Sequence, residues 1–151
     1  MTLPSLGALI AHRLPMRLID SALEVGPDRA LAELTVRADN PLFVAGKGLP
    51  AYVGLELMAQ TIGLIDGMKC YLDGVPAKVG FLLGCRRYTA ELNYLREGMR
   101  LVISVEMVFN GGEMFMFECQ MAGEDGHVIA TANLNVYAPR DPRKFFEGGV
   151  A

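Results

Sequence analysis

The amino-acid sequence predicts an α+β fold in which a curled antiparallel sheet of about six strands wraps around one central helix. Two observations predict it. Only one segment, GLPAYVGLELMAQTIGLIDG at residues 48–67, reads as a long helix, and nearly every position after Gly54 is apolar. On either side the chain breaks into short apolar segments bounded by Gly, Pro, Asp and Asn, the punctuation of strands and turns. A helix without a wide polar face has nothing to offer water, so the sheet must curl over it. Any face the sheet leaves bare needs a second subunit, which makes a dimer the expected state.

The elements follow in order. Residues 5–11, SLGALIA, suit one or two helical turns with Ser5 as cap. LIDSALEV (18–25) and RALAELTV (29–36) flank the turn GPDR and read as a hairpin. In the second strand Ala32, Leu34 and Val36 share one face, and Leu31, Glu33 and Thr35 the other. RADNPLFVAGKGLP (37–50) is loop-like. The helix is expected from about Tyr52 to Tyr71, stopping at DGVPAK. KVGFLLGCRRYTAEL (78–92), MRLVISVEMVF (99–109), EMFMFECQMAG (113–123) and HVIATANLNVYAP (127–139) complete the strands. Their connections NYLREG, NGG and EDG suit antiparallel neighbours. Residues 1–151 are expected to form a single domain, with a frayed tail over 140–151.

Composition narrows the function. The chain is 52% hydrophobic and 21% charged, enough to build a core and unlike a disordered segment. No apolar run reaches the roughly 20 residues of a membrane-spanning helix. The opening MTLPSLGALIAHRLP lacks the basic start of a signal peptide. Cys70, Cys85 and Cys119 match no metal-ligand spacing and read as reduced thiols of a cytoplasmic protein. A net charge of −3 without a basic run argues against a nucleic-acid partner. There is no Gly-rich phosphate loop, metal cluster or serine triad, so neither nucleotide nor metal is expected.

The chemistry concentrates on the helix. At about 100° per residue, Glu56, Gln60, Gly63 and Gly67 fall on one stripe, polar in its first half and without side chains in its second. On one reading the two polar groups are partly exposed and the glycines admit close packing of a strand. On the other the stripe is a groove, with reactive groups at its mouth and room for a slim ligand beyond. Burial disfavours an ionised carboxylate, whereas the N–H groups of a helix start favour it. A carboxyl under both pulls is suited to general acid–base work. The same N–H groups are able to polarise a carbonyl oxygen.

LPAYVGLELMAQTIG resembles the central helix of the hotdog-fold 3-hydroxyacyl-(acyl-carrier-protein) dehydratases, where a proline-led turn precedes an acid and a Met-Ala-Gln triplet. AHRLPMRLIDSALEV, ADNPLF and KVGFLLGCRRYTAELNYLREGMRLVISVEMV extend the likeness, so that it runs from about Ile10 to Tyr137. Within the family the chain looks most similar to the smaller aryl-polyene-type proteins. The resemblance implies a hotdog fold and a homodimer or other paired hotdog, with the active site where two subunits meet. The substrate would be an acyl thioester on a phosphopantetheine arm, carried by acyl carrier protein or coenzyme A, with no other cofactor. Glu56 matches the catalytic acid and Gln60 the polar residue one turn on. The Gly54 N–H is the expected carbonyl-polarising donor, Tyr52 lines the mouth, and the chain of the substrate lies along Gly63 and Gly67.

One departure changes the mechanism. The family's histidine in the loop before the helix is absent: that loop reads FVAGKGLPAYVG. His12 falls at a position without a catalytic role, and His127 follows the GEDG turn. Three readings follow. Glu56 performs dehydration alone, or shares it with Asn40 or Lys47 of the loop; or it serves a thioesterase, as in hotdog hydrolases that activate water with a helix carboxylate; or the chain binds acyl groups and completes a partner hotdog without turning over itself. Met107, Met114, Met116 and Met121, with Phe115 and Phe117, read as sheet core or as a pliable acyl-binding wall. Arg86 and Arg87 read as a strand-edge charge pair or as contacts for an acidic carrier protein.

Overall fold

A computed structural model describes residues 3–9, 17–75 and 81–138. His12, the end of the expected first helix, residues 78–80 of the expected strand and the tail 140–151 lie outside the described residues. Helix α1 (Leu6–Leu9) is one turn, with the Ala8 N–H donating to the Ser5 carbonyl at 3.0 Å. It is followed by β1 (Ser21–Val25), β2 (Arg29–Thr35), β3 (Leu49–Pro50) and a 3-10 turn over Ala51–Val53. Helix α2 (Gly54–Leu72) then leads to β4 (Phe81–Ala90), β5 (Tyr94–Leu95), β6 (Arg100–Asn110), β7 (Met114–Gly123) and β8 (Val128–Tyr137).

Six strands form one antiparallel sheet in the order β1-β2-β6-β7-β8-β4, and α2 packs on one face of it. Period-two alternation built that face. Ala30, Ala32 and Leu34 of β2 are buried, as are Leu101, Ile103 and Val105 of β6, Phe117, Cys119 and Met121 of β7, and Ala130, Ala132 and Leu134 of β8. From α2 they receive Leu57, Met58, Ile62, Leu64, Ile65 and Met68. The Arg100 guanidinium, 2.5 Å from Glu33, and the Ser21 hydroxyl bind the Glu33 carboxylate across β1, β2 and β6, and hold it below the usual carboxylate range.

The connection NYLREG does not join neighbours. β4 lies at a sheet edge beside β8, whereas β6 lies between β2 and β7. The segment instead carries β5, which pairs with β3: Leu49 opposes Leu95 and Pro50 opposes Tyr94. A turn signal marks where the chain reverses, not which strand it then meets. This small ribbon also makes the loop 37–50 more ordered than its composition implies, because Val44 and Gly48 pair just before β3.

Helical backbone runs from Ala51 to Leu72, close to the expected span. Pro50 (ψ 136°) is the last extended residue before it. The far end closes with Val75 N–H on the Cys70 carbonyl (2.9 Å) and Gly74 N–H on the Tyr71 carbonyl (3.1 Å), Gly74 adopting φ +72°. Gly67 has a different purpose. A Cβ there would overlap the Leu9 carbonyl oxygen and lie 2.5 Å from its carbon, so α1 rests directly on the α2 backbone. Gly67→Ala is therefore expected to cost about 1–3 kcal/mol by overpacking, seen as a lower urea midpoint. An unchanged midpoint would show that α1 does not dock there.

Candidate active site

Glu56 stands in the first turn of α2, half-buried, and Gln60 stands one turn on, completely buried. The Gln60 amide Nε2 donates to Glu56 Oε1 at 3.2 Å. Its Oε1 accepts the backbone N–H groups of Leu18 (2.9 Å) and Ile19 (3.4 Å), just before β1. An amide has both a donor and an acceptor end, so one side chain ties the strand to the helix and turns the carboxyl at once. A buried amide is tolerated because these partners satisfy it.

The stripe expected from helical projection is divided by this contact. Gln60 is covered by residues 18–19, and Gly67 by α1, so the groove does not continue along those positions. This corrects the assignment of Gly67 to the acyl chain: the space its missing side chain leaves is filled by Leu9. The partly exposed strip of α2 is Leu55, Glu56, Ala59, Gly63 and Asp66, which shares Glu56 and Gly63 with the expected stripe.

The start of the helix is built tightly. Ala51 N–H donates to the Asn93 carbonyl at 2.9 Å. The Ala51 carbonyl accepts the Gly54 N–H and the Tyr88 hydroxyl from β4. The Gly54 N–H is thus turned inward within the 3-10 turn, a correction to its expected role as carbonyl-polarising donor. Helical geometry starting three residues early supplies the acceptor that an α-helix alone would leave missing. The positive end of the helix dipole consequently falls at residues 51–53, about one turn ahead of Glu56.

The loop residues have local partners. Asn40 Oδ1 accepts the Leu42 N–H at 2.9 Å, closing an Asx turn. Lys47 lies in the tight turn between Val44 and Gly48, its Nζ 5.6 Å from the centroid of the Tyr94 ring. Each has a structural task that its sequence position did not reveal. Tyr52 is 69% exposed at the helix start, on the rim and outside the core.

Arg86 and Arg87 are both exposed, although neighbours in a regular strand alternate. The cause is a register shift: Cys85 opposes Leu134 and Arg87 opposes Asn133. The proposed methionine wall is split by the pleat. Phe117 and Met121 are in the core, whereas Met114 is 45% exposed at the other end of β7. Cys70 and Cys119 are buried, Cys85 is half-buried, and all three are free thiols. Burial pushes the Cys119 thiol up to about 12, so it stays protonated and inert.

His127 projects from the β7–β8 turn, 61% exposed, with Nε2 2.8 Å from Glu91 Oε2. The Glu91 carboxylate raises its pKa above the ordinary imidazole value. A raised folded-state value means that the pair's contribution is fully present below about pH 6.5 and is lost as pH rises through the folded value. Imidazole proton shifts in an NMR titration should show that rise, and Glu91→Gln should remove it. A His127 titration unaffected by Glu91→Gln would contradict the pairing. Among the described residues no group of three His, Cys, Asp or Glu is placed to hold a metal ion, and no helix is long and apolar enough to cross a membrane.

Tyr88 and the backbone of residues 18–19 escaped the reading of the sequence. Nothing in GCRRYTAEL distinguishes a tyrosine aimed at a helix start 37 residues earlier from one packed in a sheet.

Known proteins agree with this architecture. The chain is similar to the dehydratase heterocomplex ApeI:P from Xenorhabdus doucetiae, with a TM-score of 0.89 at 23% identity over 97% of both chains. A hypothetical thioesterase protein with coenzyme A from Streptococcus pneumoniae TIGR4 shares the fold at a TM-score of 0.61 and 13% identity, covering 79% of this chain and 84% of that one. Among curated proteins, the 3-hydroxyacyl-[acyl-carrier-protein] dehydratase FabZ of Streptococcus pyogenes is 26% identical over 138 residues, 89% of this chain and 96% of that protein. Residues 4–147 match the ApeP-like family, described as ApeP dehydratase. With that match spanning nearly the whole chain, a hotdog with its carboxyl at the head of the central helix belongs to the ApeP-like dehydratase family.

Proposed function

We propose that this chain acts in the dehydration of 3-hydroxyacyl thioesters to trans-2-enoyl thioesters, with Glu56 as the acid–base carboxyl. The observation that carries the reading is the Glu56–Gln60 pair: a half-buried acid at the head of α2, turned by a buried amide that is itself anchored on β1's approach. Elimination removes a proton from the carbon next to the thioester carbonyl and delivers one to the departing 3-hydroxyl, releasing water. Negative charge developing on the carbonyl oxygen is favoured near the positive end of α2. The two proton transfers require no cofactor beyond the phosphopantetheine arm that carries the substrate.

A second hotdog subunit supplies the other proton carrier. Asn40 and Lys47, the loop groups offered as substitutes for histidine, are engaged in an Asx turn and against Tyr94. Among the described residues β4 ends the sheet with no strand on its outer edge, the kind of surface another chain can extend. Beside it, Asn135 Oδ1 is buried with no hydrogen-bond partner among the described residues. The similar ApeI:P protein is a dehydratase heterocomplex, which supports a paired assembly of unlike subunits here. The acyl chain would follow the partly exposed strip at Ala59 and Gly63, with Tyr52 at its mouth.

The test incubates the purified chain with a 3-hydroxyacyl carrier-protein thioester, alone and with a histidine-bearing hotdog dehydratase subunit, and follows products by mass. Loss of water that depends on both subunits is expected. Free acid and free thiol would instead establish hydrolysis, and water loss by the chain alone would dispense with the second subunit.

A further inference from the structure

β4 carries two register shifts against β8, one between Leu82 and Gly84 and one between Cys85 and Arg87. The second has a consequence for the site. Cys85 and Tyr88 are separated by an odd number of positions, so in a regular strand they would face opposite sides of the sheet. The extra residue, Arg86, resets the alternation, and both Cys85 and Tyr88 pack against the core. Such insertions re-aim side chains and are concentrated beside active sites.

The re-aimed side chain is Tyr88. Its hydroxyl donates to the Ala51 carbonyl, and its ring lies against Gly54: a Cβ at position 54 would overlap the hydroxyl and lie 3.3 Å from Cζ. Burial raises the phenol's pKa, so it remains an O–H donor across the neutral range. Ala51 opens the 3-10 turn that runs directly into α2, and Glu56 lies five positions later. One turn beyond Glu56, Gln60 holds it from residues 18–19. The carboxyl is therefore secured from two directions, one of them the edge strand.

We infer that Tyr88 is a positioning residue of the acid site, fixing the opening turn of α2, and through it Glu56, from the edge strand β4. The inference rests on the dehydratase reading above. In the subunit combination that turns over, Tyr88→Phe should lower kcat about ten-fold with KM nearly unchanged, the pattern of a lost transition-state alignment. Gly54→Ala, which evicts the hydroxyl, should do the same, and the double variant should be no slower than Tyr88→Phe alone. Wild-type kcat in Tyr88→Phe, or effects that simply multiply, would overturn the assignment. If Glu56→Gln is inactive while Tyr88→Phe is not impaired, only Tyr88 is misassigned; if Glu56→Gln also retains full rate, Glu56 is not the acid–base group, and if no subunit combination loses water, the dehydratase reading itself fails. Hydrogen exchange at the Gly54–Leu57 amides needs neither substrate nor Gly54→Ala. It should accelerate at least several-fold in Tyr88→Phe, and unchanged exchange would refute the clamp.

Discussion

Glu56→Gln lowers turnover of a 3-hydroxyacyl thioester by about 10²–10⁴-fold, the usual loss on removing a general acid–base group. Glutamine has nearly the same shape, and its carbonyl oxygen can still accept the hydrogen bond from Gln60 Nε2 that Glu56 Oε1 receives at 3.2 Å. What it lacks is a carboxyl that can take up and release a proton. The effect should fall on kcat, with KM and melting temperature changed little, because the half-buried side chain keeps its contacts. A variant that unfolds would report on packing instead, so the melting curve is measured beside the rate. Full activity in a folded Glu56→Gln would take Glu56 out of the mechanism.

Gln60→Leu should cost about 2–4 kcal/mol of folding free energy, because a buried donor left without an acceptor costs about 1–3 kcal/mol. Two donors are involved: the Leu18 and Ile19 N–H groups, both directed to Gln60 Oε1. Leucine fills a similar volume, which separates the lost hydrogen bonds from a cavity effect. The same substitution releases Glu56 from Nε2, so activity should fall further than stability alone explains. Urea denaturation gives the first quantity and kcat at full occupancy of the folded state the second. A midpoint equal to wild type would mean that residues 18–19 find other acceptors.

Much of the architecture was legible because it is written in short-range signals. Alternation over RALAELTV, and the same period in the three last strands, reproduces the buried faces of β2, β6, β7 and β8. Pro50 and Gly74 bracket the helix where backbone constraints put its ends. The acid in the first turn was readable, as was its amide one turn on, since helical projection needs only spacing. The NYLREG segment failed as a hairpin because turn chemistry specifies a reversal and is silent about destination. Gly67 was readable as a missing side chain but not as the seat of Leu9.

The sequence by itself determined one apolar helix, six alternating strands, and a carboxyl followed by an amide near the helix start. Those features depend on neighbours within a turn or two of the chain. Tertiary structure decided which positions of the stripe are covered and that Tyr88 reaches the Ala51 carbonyl. Each of the last decisions joins residues far apart, such as Leu18 to Gln60 across 42 positions, or depends on a one-residue bulge that reverses a strand's facing. Spacing reports how side chains are directed from their own backbone; only packing decides what meets them.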